Sequence, residues 1–269
     1  MANFRIPSAM CAVRPPWSLQ DGTLMLFQAS VPGTICGASP RYPMLDWLEL
    51  FKRHVEPEVD FLFLQCRNPG RGLSDADYAT AAQTLGVEIA AIQAVAEVET
   101  SGQAFDENGR PRILFERHYF HRLTSGRYDK THPDISNATG GGYGKFSAQY
   151  GKLERAYKLD ANAALESASW GRFQIMGKNH RAAGYASVKD FVFAMARSEA
   201  DHLIAFTHFV AHDKRMLKAL RNKQWATFAS AYNGGGYKKN QYDTKLEEAY
   251  QRFDAAAKAA AAKAGGGLP

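Results

Sequence analysis

The chain has 269 residues, 45% of them hydrophobic, and a formal net charge of +6, enough for one large core with a small appended module. The positive charge is dispersed, without the long basic block of a nucleic-acid arm, and no apolar run approaches the ~18 residues that a membrane span needs. Three cysteines, Cys11, Cys36 and Cys66, fall in the first quarter of the chain without metal-ligand spacing, which argues against a disulfide framework.

The first residues, interrupted by Arg5, Pro7, Arg14, Pro15 and Pro16, lack the apolar centre of a signal peptide, so synthesis in the cytosol is predicted. A substrate beyond the membrane then requires release by lysis or by another machine. Residues 1–72 are rich in turn signals around a helical stretch at 43–54 and a strand-like run at 61–65. They read either as a small binding module or as an extension. After Asn68-Pro69-Gly70 the character changes. Ser74 with Asp77 forms an N-cap pair, and a helix runs to Leu85 with Gly86 as its C-terminal cap, so a domain begins near Leu73.

From Val87 to Glu99 the run VEIAAIQAVAEVE is apolar on nearly every face, the mark of a helix buried inside a domain. Further helices are predicted over 152–159, 161–167, 188–210, 213–220, 225–231 and 244–253, with almost no strand pattern after Leu73. The fold class is therefore mainly α. The alanine-rich end, 255–269, reads as a frayed helix or a tag-like tail.

Glu99 stands where the buried helix gives way to Thr100-Ser101-Gly102. Desolvation and the negative end of the helix dipole both disfavour an ionised carboxylate there, which suits a general acid working near neutral pH. A solvent-facing glutamate at a helix end is the ordinary alternative. Two further segments bear on the choice. Ser169-Trp170-Gly171-Arg172-Phe173-Gln174-Ile175-Met176-Gly177 combines small residues with an amide and aromatics suited to sugar hydroxyls and ring faces. Ala231-Tyr232-Asn233-Gly234-Gly235-Gly236-Tyr237 sets Tyr232 and Asn233 beside a glycine turn able to line a groove. Each segment alone is equally consistent with core aromatics and a plain turn.

In this order the three segments resemble the motifs of goose-type lysozymes and soluble lytic transglycosylases. More closely, residues 73–254 resemble the N-acetylmuramidase catalytic domain of phage endolysins, with further matching stretches at 109–118, 128–137 and 240–250. The resemblance implies a lysozyme-like helical fold and hydrolysis of the β-1,4 bond between N-acetylmuramic acid and N-acetylglucosamine. It implies Glu99 as the acid, with Gln174 and Tyr232, and beside them Ser169 and Asn233, lining the cleft. The chain is expected to act as a monomer on peptidoglycan strands, with no cofactor, nucleic acid or stable membrane insertion. Such enzymes often carry an N-terminal wall-binding module, whose pattern residues 1–72 do not display.

A second carboxylate, where the mechanism uses one, has candidates in Glu116, Glu97, Asp106 and Glu107, with Glu116 best placed by motif. Phe115-Glu116-Arg117 equally suits a structural ion pair. Assistance from the substrate's acetamido group is a third route, and attack by the muramic 6-hydroxyl would give a transglycosylase. His118 and His121 near Glu116 lack the His-Glu-x-x-His metal spacing, so no metal is predicted. A cysteine nucleophile is disfavoured because the main domain has no cysteine.

Overall fold

The computed structural model describes residues 72–99 and 103–265. The elements expected at 43–54 and 61–65, the three cysteines, and Thr100 to Gly102 lie outside the described residues. Helix α1 (Asp75–Leu85) is entered through the capping box that Ser74 and Asp77 predict. Asp77 N–H donates to Ser74 Oγ at 3.3 Å and Ser74 N–H donates back to Asp77 Oδ2 at 2.8 Å. Gly86, at φ 63°, closes the helix in the left-handed conformation that glycine adopts without a Cβ penalty. Helix α2 (Ile89–Glu99) buries Ala90, Ala91, Ile92, Ala94, Val95 and Ala96, as its all-round apolar run requires.

Helix α3 (Arg117–Leu123) follows a short strand, β1 (Ile113–Phe115). Then come α4 (Gln149–Leu159), α5 (Ala161–Glu166), β2 (Ala168–Trp170) and β3 (Ile175–Met176). The chain closes with α6 (Val188–Arg197), α7 (Glu199–His212), α8 (Lys214–Arg221), α9 (Trp225–Asn233) and α10 (Tyr242–Gly265). The long α10 packs along α2, α9 sits against α8 and α10, and α1 bridges α2 and α7. Trp170, Phe115, Phe120, Phe173, Phe191, Phe206 and Phe228 are fully buried in one continuous core. The Trp170 indole N–H donates to Leu165 O at 3.0 Å, which satisfies a donor that water cannot reach.

The fold is mainly α, as expected; besides α3, a helix that the sequence did not announce, it departs from the sequence reading in three places. The continuous helix expected over 188–210 is two helices. Ser198 lies between them in extended conformation (φ −167°, ψ 161°), and its Oγ accepts Asp201 N–H at 3.1 Å as the N-cap of α7. A capping serine with an acidic residue three positions later outweighs an apolar rhythm that runs through it. The second departure is a small antiparallel sheet in the order β1-β2-β3 that pairs Leu114 with Ser169 and Ser169 with Met176. Strands of two or three residues are too short to show an alternating period. Third, the helix expected over 244–253 runs on as α10 to Gly265, so the alanine-rich end continues as exposed helix over 255–263, the helical of its two readings.

Candidate active site

Glu97 and Glu99 lie on the last turn of α2, two positions apart, and therefore face differently. Glu97 is exposed and pairs with Arg252 of α10 at 2.5 Å. Glu99 is partly buried and turns toward the end of α9, where Asn233 Nδ2 donates to its Oε1 at 3.1 Å. Removal from water pushes the Glu99 carboxyl up to about 7, and the Asn233 hydrogen bond opposes that rise by favouring the ionised form. A group poised at that value is mostly protonated just below neutral pH, the state a proton donor needs.

Glu99 opens onto a cleft shared with Gln103, Arg112, Phe146 and the β2–β3 turn residues Gly171, Arg172 and Gln174. The turn is conformationally demanding. Gly171 has φ 68° and Gln174, a non-glycine residue, has φ 47°. The Gln174 side chain holds it: Nε2 donates to Gly171 O at 2.8 Å and to Arg112 O at 3.3 Å, while Ser169 Oγ donates to Oε1 at 2.8 Å. Gln174 thus borders the cleft, but its amide and the Ser169 hydroxyl are engaged in shaping the wall rather than reaching into it.

Tyr232 stands behind the wall. Its ring stacks on Phe228 with centroids 5.7 Å apart and meets Phe206 and Phe209 edge-on, and its hydroxyl donates to Phe173 O at 2.7 Å. Burial and the nearby Glu99 charge keep the phenol protonated. Tyr232 therefore ties α9 to the β2–β3 turn and positions its neighbour Asn233.

His202 supports the same turn from beneath. Arg172 N–H donates to Nδ1 at 3.0 Å and Nε2–H donates to Met195 O at 2.6 Å, so the ring is neutral with its proton on Nε2. Burial pushes its pKa down to about 4. A Cβ on Gly171 would lie 2.8 Å from His202 Cε1, which is why glycine stands there.

These two perturbed groups carry opposite pH linkage. His202, depressed when folded, contributes stability that is present above about 6.5 and is lost as pH falls toward 4, by roughly 3 kcal/mol. Glu99, raised when folded, contributes stability that is present below about 4.5 and lost as pH rises toward 7. Across that window the two nearly cancel in the native chain. In Glu99→Gln the histidine linkage is uncovered, so urea unfolding should show stability falling by roughly 3 kcal/mol between about pH 7 and 4. A pH-independent midpoint in that variant would mean that His202 is not held neutral.

Glu116 is the N-cap residue of α3 and does not line the cleft. Its Oε2 accepts the Tyr143 hydroxyl at 2.9 Å and lies 3.2 Å from His118 Nδ1. His121 instead pairs with Asp129 at 2.7 Å, and Ser136 donates to that same aspartate. The two histidines thus serve different acids. Among the described residues no three His, Cys, Asp or Glu side chains gather where they could hold a metal ion. Asp106 caps its own loop, accepting Asn108 N–H and Arg110 N–H at 2.9 Å each, and pairs with Arg110.

Sequence reasoning did not single out Gln103, Arg112 or Phe146 as site residues. Arg112 falls in the matching stretch 109–118 and Phe146 ends the glycine-rich run GGGYGKF, but neither position announces a role in a cleft.

A model of the N-acetylmuramidase family matches residues 88–254. The crystal structure of the Burkholderia AP3 phage endolysin is similar, with 48% identity and a TM-score of 0.67, covering 70% of this chain and 73% of that one. No match is found among curated proteins. The family match spans more than half of the chain and includes Glu99, the β2–β3 turn and Asn233, and the chain belongs to the N-acetylmuramidases, glycoside hydrolases that act on peptidoglycan.

Proposed function

We infer that Glu99 is the general acid of an endolysin that opens the bacterial wall by hydrolysing the bond from N-acetylmuramic acid to N-acetylglucosamine. The observation that carries this reading is a half-buried carboxyl that opens onto a cleft and is held there by Asn233, with burial pushing it up to about 7. Glu99 gives its proton to the leaving glycosidic oxygen as the anomeric carbon gains positive charge. Of the described residues lining the cleft, Glu99 alone bears a carboxylate. That favours stabilisation of the cation by the substrate's own acetamido group, with water completing the hydrolysis, over a second enzyme carboxylate such as Glu116. Asn233 orients the acid, Ser169 and Gln174 set the wall, and Tyr232 locks the support behind it.

Residues 73–254 contain all of these groups and form the catalytic unit. The protein works as a monomer, made in the host cytosol and admitted to the wall once the inner membrane is opened. Likeness to a phage endolysin supports that role, and among the described residues no helix is long and apolar enough to cross a membrane.

Incubation of the full chain with purified peptidoglycan should clear turbidity and release muropeptides that end, by mass spectrometry, in reducing N-acetylmuramic acid. Anhydro ends would reassign the reaction to transglycosylation, and unchanged turbidity would remove the lytic role.

A further inference from the structure

Arg112 lines the same cleft as Glu99, yet it does nothing visible for the acid. The causes of the Glu99 shift are burial and Asn233, with no contribution from a neighbouring cation. The other cleft arginine, Arg172, is paired with Glu199. Among the described residues Arg112 has no carboxylate partner. Its guanidinium lies over the Phe146 ring, 4.0 Å from the centroid, and Phe146 is itself 45% exposed.

The backbone around Arg112 is fixed with unusual care. Its N–H donates to Ala104 O at 2.9 Å, and its carbonyl accepts Gly171 N–H at 2.8 Å and Gln174 Nε2 at 3.3 Å. Hydrogen bonds from both sides of the wall thus anchor a residue whose side chain lines the cleft. A planar guanidinium propped on an aromatic face keeps its outer N–H edge available, which suits bidentate binding of a carboxylate.

On a peptidoglycan strand the two sugar rings are neutral. Negative charge resides only on the muramoyl branch, as the lactyl carboxylate of a bare strand or the carboxylates of a stem peptide. We propose that Arg112, supported by Phe146, is a carboxylate subsite that reads the muramoyl branch and thereby sets which sugar of the alternating strand lies beside Glu99. This rests on the muramidase reading and adds to it the basis of register along the strand.

The test uses the full chain and soluble glycan strands in three forms: with stem peptides, stripped to lactyl groups by an amidase, and with all carboxyls converted to amides. Reducing-end release gives kcat and KM. For the native chain, amidation should raise KM roughly ten- to hundredfold with kcat little changed, the range expected for loss of a charge-assisted contact. Arg112→Gln should show that raised KM on the carboxylate strands and no further rise on the amidated ones. Arg112→Lys should recover part of the loss. Tight binding kept by the stripped strands identifies the lactyl group as the ligand, and tight binding by peptide-bearing strands alone identifies the stem.

The comparison on the native chain does not depend on any variant folding. Equal KM for native chain on all three forms, or an unchanged KM in a folded Arg112→Gln, overturns the subsite while leaving the muramidase intact. Failure of the native chain to cut any strand overturns both.

Discussion

Glu99→Gln should fold, bind peptidoglycan and lose lytic activity by ~10²–10⁴-fold, the usual worth of a positioned proton donor. Glutamine keeps the size of the side chain and can still accept the Asn233 hydrogen bond seen at 3.1 Å, so the cleft is preserved while the acidic proton is gone. Above neutral pH the variant should be at least as stable as the native chain, because it removes a carboxyl that resists ionisation when buried. Higher stability with lower activity is the signature of a strained functional group rather than of a damaged fold. Glu97→Gln is the matched control: it breaks a solvent-exposed pair with Arg252, which water and salt screen, and should leave turnover near native. Turbidity clearance and circular dichroism on both variants decide the matter. Near-native lysis by a folded Glu99→Gln, or a severe loss confined to Glu97→Gln, would falsify the assignment of the acid.

What the sequence displayed and what it concealed divide along a physical line. Local signals were readable: the Ser74–Asp77 capping box, the glycine cap at Gly86, and the all-round apolar run of α2 each depend on residues a few positions apart. The placement of Glu99 at the end of a buried helix was readable for the same reason, because it follows from α2 alone, whereas its expected role as the acid came from the resemblance. The partner of Glu99 was not readable. Asn233 lies 134 positions away, and nothing in a glycine-flanked asparagine distinguishes a ligand for a sugar from a hydrogen-bond donor to a carboxyl.

The roles expected of Gln174 and Tyr232 show the same limit. Both belong to the motifs that mark the site, but polar atoms that suit a sugar equally suit a backbone carbonyl. In the folded chain they meet Gly171 O and Phe173 O respectively. Arg112 and Phe146 escaped notice because their significance is a juxtaposition across the cleft rather than a pattern along the chain.

The pH profile should carry the second large effect, and it separates a tuned acid from an incidental one. Because Glu99 must be protonated to act and its carboxyl sits at about 7, kcat/KM should be level below that value and fall about tenfold per pH unit above it. An ordinary glutamate near 4.3 would already be ionised across that whole range. At about pH 9 the expected loss is roughly a hundredfold relative to pH 6. Asn233 gives the profile a handle. Its Nδ2–H favours the ionised carboxylate, so Asn233→Leu, which removes the donor and adds apolar surface of similar size, should move the alkaline limb to higher pH. A sugar-binding asparagine would behave differently: KM would rise while the limb stayed where it was. Steady-state kinetics on soluble glycan strands across about pH 5 to 9 distinguishes the two, with the strand concentration varied at each pH so that KM and kcat are read separately. An alkaline limb that is identical in both proteins, with KM raised, would return Asn233 to the substrate and leave burial alone to tune the acid.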